Sequence, residues 1–209
     1  MIPLAILAVL ATQVSAEAAA AFRKAFPAPI VTLEGEKIRY EPIALVHVEG
    51  RPVLVAKGTV IDAAHVTSGK VAAIYFGADG KARRRDLKAV ESGSSGVIAD
   101  VSVSSKFGPL PMIVAEGGGT WQGYSCDLVR LVELTPSGPR ELADIQTYYD
   151  DSGVNPDANK GTTLTGKIAN IQPGKSFDVV YSGSLSFTEK YVRRGDKYAL
   201  AGEAKMLSC

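Results

Sequence analysis

Ile43-Ala44-Leu45-Val46-His47-Val48-Glu49-Gly50-Arg51-Pro52-Val53-Leu54-Val55-Ala56-Lys57-Gly58-Thr59-Val60 sets two apolar runs on either side of a Glu-Gly pair. β-Branched side chains fit a pleated strand better than the crowded turn of a helix. Glu-Gly between such runs is turn chemistry. The stretch therefore reads as a strand at 43–48, a turn, and a strand at 53–60.

The pattern recurs outward from there. Short apolar runs at 71–76, 97–103, 112–115, 128–134, 145–149, 164–171, 177–181, 187–192 and 198–200 are divided by Gly- and Pro-containing breaks. Asp79-Gly80 is a two-residue hairpin signal, and Pro136-Ser137-Gly138, Pro173-Gly174 and Gly195-Asp196 supply further turns. Many short strands at this spacing predict an all-β fold: an antiparallel sandwich, an open barrel or propeller-like sheets. Before them, 17–26 is Ala-rich with Phe22 and Phe26 one helical turn apart, which reads either as a single short helix or as a frayed lead-in, ended by Pro27 and Pro29.

An internal echo suggests two similar halves, about 43–100 and 101–160. Pro52-Val53-Leu54-Val55-Ala56-Lys57-Gly58 resembles Pro111-Met112-Ile113-Val114-Ala115-Glu116-Gly117, and an apolar run followed by a glycine turn comes after each.

The N-terminus predicts export. Residues 4–11 form an uncharged apolar run too short to span a bilayer. Val14-Ser15-Ala16 then offers small residues where a signal peptidase reads, with cleavage after Ala16. Charge before the run is confined to the α-amino group. The expected organisation is a signal peptide at 1–16, a lead-in at 17–29 and one β-rich domain at 30–209. No later apolar run approaches spanning length, so no integral membrane span is expected after cleavage, and the compartment reads as periplasmic or secreted. Cys126 and Cys209 are the only cysteines. In an oxidising compartment they predict one disulfide fastening the last residue to the middle of the chain, worth about 4 kcal/mol by loop closure.

Twenty-three Lys and Arg face 22 Asp and Glu, a balance that gives no electrostatic case for nucleic acid. Three groups of residues are candidates for chemistry. Gly118, Gly119, Trp121 and Tyr124 lie in a glycine-rich segment carrying the only tryptophan; flexible backbone beside aromatics suits a partner-binding surface. Asp150, Asp151, Asn155, Asp157 and Asn159 form the densest set of oxygen ligands, a calcium loop by composition. Its glycine falls at position seven and Gly166 at position twelve, so it departs from the EF-hand pattern. Asp150, Asp151, Asp157 and Glu189 are the carboxylates for a glycan hydrolase, and Asp62 with His65 forms an acid–base pair if 62–65 is helical. Gly174-Lys175-Ser176 is no phosphate loop, because Ala169 stands where the first glycine belongs and a strand follows. The leading expectation is a non-enzymatic binding protein with a protein partner in the cell envelope. The alternatives are an envelope glycan hydrolase and a calcium-dependent structural or adhesion module. No other cofactor is expected.

Overall fold

The computed structural model describes residues 14–155, 157 and 161–209. The apolar run at 4–11 and the candidate ligand Asn159 lie outside the described residues. The chain forms one helix, α1 (Ala16–Ala25), and thirteen strands. Five build the first sheet: β1 (Ile30–Leu33), β2 (Glu36–Val48), β3 (Arg51–Val60), β4 (Gly69–Phe76) and β5 (Ala82–Ser92). Eight build the second: β6 (Asp100–Ser104), β7 (Met112–Trp121), β8 (Tyr124–Thr135), β9 (Gly138–Asp150), β10 (Thr163–Gln172), β11 (Ser176–Gly183), β12 (Phe187–Arg194) and β13 (Lys197–Leu200). Each sheet is an antiparallel meander in chain order, and the second curls into a half-barrel. The all-β class expected from the sequence is the fold, and of the architectures left open there the two sheets match the antiparallel sandwich.

Two-residue turns with both residues at positive φ join β1 to β2 (Glu34 and Gly35, 52° and 87°), β2 to β3 (Glu49 and Gly50, 49° and 78°) and β7 to β8 (Gln122 and Gly123, 51° and 87°). This is the type I′ geometry whose twist matches the strands it connects. The hairpin at Asp79-Gly80 is longer than a two-residue loop. Residues 77–81 close it, with the Gly77 N–H donating to the Lys81 carbonyl at 2.9 Å.

Three layers of side chains hold the fold. β3 and β4 are apolar on both faces because both are covered. On one face Val53, Val55, Val71, Ala73 and Tyr75 meet Val101, Ile113, Ala115, Val132 and Leu134 of the second sheet. On the other, Leu54, Ala56, Ala72 and Ile74 pack with Ala25 and Phe26 at the end of α1. The third core, inside the half-barrel, includes Leu131, Leu142, Ile145, Phe177, Val179 and Tyr181. The two echoed segments occupy β3 and β7, in different sheets, and both contribute to the core between the sheets.

α1 begins at Ser15, whose Oγ accepts the Ala18 N–H at 3.1 Å. Glu17 in the first turn and Arg23 and Lys24 in the last complement the helix dipole. Phe26 stacks on Tyr40 at 4.9 Å, and the Arg85 guanidinium covers Phe26 at 5.1 Å while donating to the Ala25 carbonyl at 2.7 Å.

Candidate functional site

The antiparallel meanders sort the loops to two ends. One end collects the β7–β8 hairpin, the β3–β4 connection at 61–68, the crossover at 93–99 and the β9–β10 loop. The partner-binding candidates lie here.

Trp121 and Tyr124 are opposite one another at the hairpin tip. Trp121 is 40% exposed and Tyr124 37%, large fractions for side chains that normally bury. The glycines before them have packing work to do. A Cβ on Gly119 would sit 2.7 Å from the Trp121 ring, so the indole lies flat over that glycine. A Cβ on Gly117 would sit 2.7 Å from the Gly93 nitrogen, so this glycine admits the crossover chain. Gly118 is pressed against the Cys126 carbonyl on the neighbouring strand. The Gly-Gly-Gly run is thus ordered strand, not free loop.

His65 braces the tip from the first sheet. Its Nε2–H donates to the Thr120 carbonyl at 2.9 Å, and its ring lies 6.3 Å from that of Trp121. Segment 62–65 is a turn with Asp62 at φ 56° rather than a helix, so the geometry for an Asp62–His65 acid–base pair is not formed. Val66, next in sequence, is 75% exposed. Val154 lies against Gly123 and is 42% exposed. Val154 therefore adds apolar surface at the hairpin tip, and Val66 adjoins the histidine that braces it.

The disulfide Cys126–Cys209 stands on the same face of this hairpin as Trp121 and Tyr124, since Cys126 pairs with Gly119 and lies two residues from Tyr124, with its Cα atoms 6.5 Å apart. It borders a cleft of about 370 Å³ between the sheets, lined also by Trp121, Leu128, Arg130 and Gln146. Arg130 Nη2 pairs with Asp144 Oδ2 at 3.3 Å, and its Nε is buried with no partner among the described residues. Burial pushes the Asp144 carboxyl up, against the pull of Arg130. A shallower cleft of about 310 Å³ lies beside Gly119, Thr120, Asp127 and Tyr148. Burial raises the Asp127 carboxyl; it raises Glu116 too, with repulsion from Asp127 and Asp100 adding to the shift.

The chain matches no family model, no curated protein and no solved structure. Its residues alone must therefore carry a functional reading.

The acidic loop is engaged with its own backbone. Asp150 Oδ1 accepts the Ser152 N–H at 2.8 Å, Asp151 Oδ1 accepts the Thr162 N–H at 2.6 Å, and Asn155 Oδ1 accepts the Asp157 N–H at 3.2 Å. Among the described residues no three His, Cys, Asp or Glu side chains are grouped as metal ligands. Glu189, the remaining carboxylate candidate, is 4% exposed and far from that loop in role. It accepts the N–H groups of Lys205 and Met206 in the C-terminal tail.

The run of basic residues on β5 is largely engaged with the rest of the molecule. Arg83 pairs with Asp79, Arg84 with Asp86 and the Ser137 carbonyl, Arg85 with the Ala25 carbonyl, and Lys88 with Glu34. Successive arginines address the hairpin, the second sheet and the helix, so one run of charge ties three elements together.

Proposed function

We propose that the chain is an exported, non-enzymatic binding protein of the periplasm or extracellular space. Its contact surface for a protein partner in the cell envelope is the β7–β8 end. The observation that carries the reading is Trp121 and Tyr124 held partly exposed on a braced hairpin. The disulfide, His65 and the glycine-seated indole restrict the hairpin before any partner arrives, so little ordering entropy remains to be lost on binding. Aromatics of this kind are the usual energetic anchors of protein interfaces, and Val66 and Val154 extend the apolar surface around them. Among the described residues no helix is long and apolar enough to cross a membrane, which agrees with this placement.

The test is site-specific photocrosslinking in the oxidised protein within the native envelope. A probe at Tyr124 is expected to capture one discrete protein band, and a probe at exposed Thr188 on β12 is not. The band should disappear when Trp121→Ala is added to the Tyr124 probe. Equal labelling from both positions, or none from Tyr124, overturns the reading.

A further inference from the structure

The opposite end of the sandwich carries a cleft of about 500 Å³ beside the β2–β3, β4–β5 and β8–β9 turns. Three guanidinium groups line it, from Arg51, Arg83 and Arg84, against one carboxylate, Asp79. Strand register explains the convergence. Tyr75 lies opposite Arg84 across β4 and β5, and opposite Val53 across β3 and β4. Directly paired residues share a face, as do residues two apart in a strand. Arg51, Tyr75 and Arg84 therefore all use the face that meets the second sheet.

Two of the guanidiniums are only partly committed. Arg83 Nη2 donates to Asp79 Oδ2 at 2.7 Å. Arg84 donates to both Asp86 oxygens, at 2.6 and 3.0 Å, and to the Ser137 carbonyl. A guanidinium has five N–H donors, so both retain free ones. Arg51 is exposed and has no ion-pair or hydrogen-bond partner among the described residues. Its charge is the one that Asp79 and Asp86 leave unbalanced.

Tyr75 is an independent sign. The residue is 8% exposed and lines the cleft, yet its hydroxyl is buried without a hydrogen-bond partner among the described residues. Native structures leave few such groups, because removing a hydroxyl from water without replacing its bonds is costly. An unpartnered phenol in the wall of an arginine-lined cleft gains the acceptor it lacks if an anion binds and the ring turns its hydroxyl toward the cleft.

We infer that this cleft binds a phosphate monoester of small-molecule size. A phosphate presents oxygens in several directions, which suits guanidiniums arriving from separate turns; a carboxylate presents two in one plane. The volume exceeds a bare phosphate and matches a small-molecule pocket, so the ester carries a sugar-sized body. The site is independent of the protein-binding reading, whose residues occupy the other end.

Calorimetric titration of the oxidised full chain with glucose 6-phosphate, inorganic phosphate and glucose tests the inference. Co-sedimentation with vesicles of anionic phospholipid separates a free ester from a lipid headgroup. The two phosphates are expected to bind saturably, glucose not to bind, and the protein to stay out of the vesicle pellet. Arg51→Ala should weaken binding about tenfold and Tyr75→Phe about threefold, both variants melting close to the parent because neither loses a bond. Absence of binding by either phosphate, unchanged affinity in both variants, or sedimentation with vesicles without binding of the soluble ester overturns it.

Discussion

Glu189 and Lys205 are joined through a buried carboxylate: Glu189 Oε1 accepts the Lys205 N–H at 2.6 Å and the adjoining Met206 N–H at 3.0 Å. Tyr191 donates to the other oxygen at 3.5 Å, while the Tyr181 phenol gives its one proton to the Gln146 carbonyl at 2.8 Å and lies 3.4 Å from that same carboxylate oxygen. Burial, with the neighbouring Glu189 charge, pushes the Tyr191 phenol up to about 12 and raises Tyr181 as well. Both stay protonated, Tyr191 as a donor to Glu189 and Tyr181 as a donor to Gln146. One strand residue thus fastens the tail three residues before the disulfide fastens its end.

Glu189→Ala should cost about 2–3 kcal/mol, since it removes charged hydrogen bonds and leaves buried donors unpaired. The loss, read from denaturant melts, should shrink in a Cys126→Ser/Cys209→Ser background. A detached tail has little left for Glu189 to hold, so the two changes combine to less than their sum.

Removing the disulfide should lower stability by about 4 kcal/mol, given the 83-residue separation of its cysteines. Chemical denaturation with and without reductant measures it directly.

The glycines before Trp121 should respond differently to a methyl group. Gly119→Ala pushes the indole and the Ser94 hydroxyl, both side-chain groups that can move, so fluorescence from the sole tryptophan should shift with little loss of stability. Gly118→Ala drives Cβ into the Cys126 carbonyl on backbone that cannot swing away, and should cost about 2 kcal/mol or more. Equal melting temperatures for the two variants refute the distinction.

Glu116 and Asp127 have folded-state carboxyls raised above their ordinary range, chiefly by burial. The folded chain therefore binds these protons more tightly than the unfolded chain does. Their charged forms destabilise at neutral pH, and that penalty is relieved as pH falls through the raised values. Glu116→Gln with Asp127→Asn should raise the melting temperature at pH 7 by roughly 2–4 °C, the shift given by about 1 kcal/mol in a chain this size. The gain should vanish in mild acid, which thermal melts across pH will read.

Melting in excess calcium and in chelator should give the same temperature. Asp150 and Asp151 already accept backbone N–H groups of their own loop, and a cation would have to compete for those oxygens.

Most of the strands were legible because alternation and turn chemistry agree at each of them. The two that were not, β1 and β5, fail for opposite reasons. β1 is four residues long, and its turn Glu34-Gly35 repeats the dipeptide at Glu49-Gly50 without long apolar runs to frame it. β5 begins Ala82-Arg83-Arg84-Arg85-Asp86, which reads as solvated charge. The acceptors that hold it, the carbonyls of Ser137 and Ala25 and the carboxylate of Glu34, are about 50 to 60 residues away in sequence.

The candidate sites divide in the same way. The aromatic glycine segment was visible as composition, but its bracing by His65 was not, since that contact spans 55 residues. Of the cleft lined by Arg51, Arg83 and Arg84, the run at 81–88 was visible as basic charge, but its meeting with Arg51 was not, since that depends on strand register.

By itself the sequence determined the β-rich class, the main turns and, with two cysteines, the one disulfide pairing open to them; it left 17–26 between a short helix and a frayed lead-in. These follow from side-chain periodicity, backbone freedom at glycine and the count of two thiols, all local or exhaustive properties. Only the tertiary structure decided which loops share an end, which arginines keep free donors, and that Glu189 is a tail anchor. Those depend on strand register and sheet packing, where each contact is set by the sum of many weak preferences distributed along the chain.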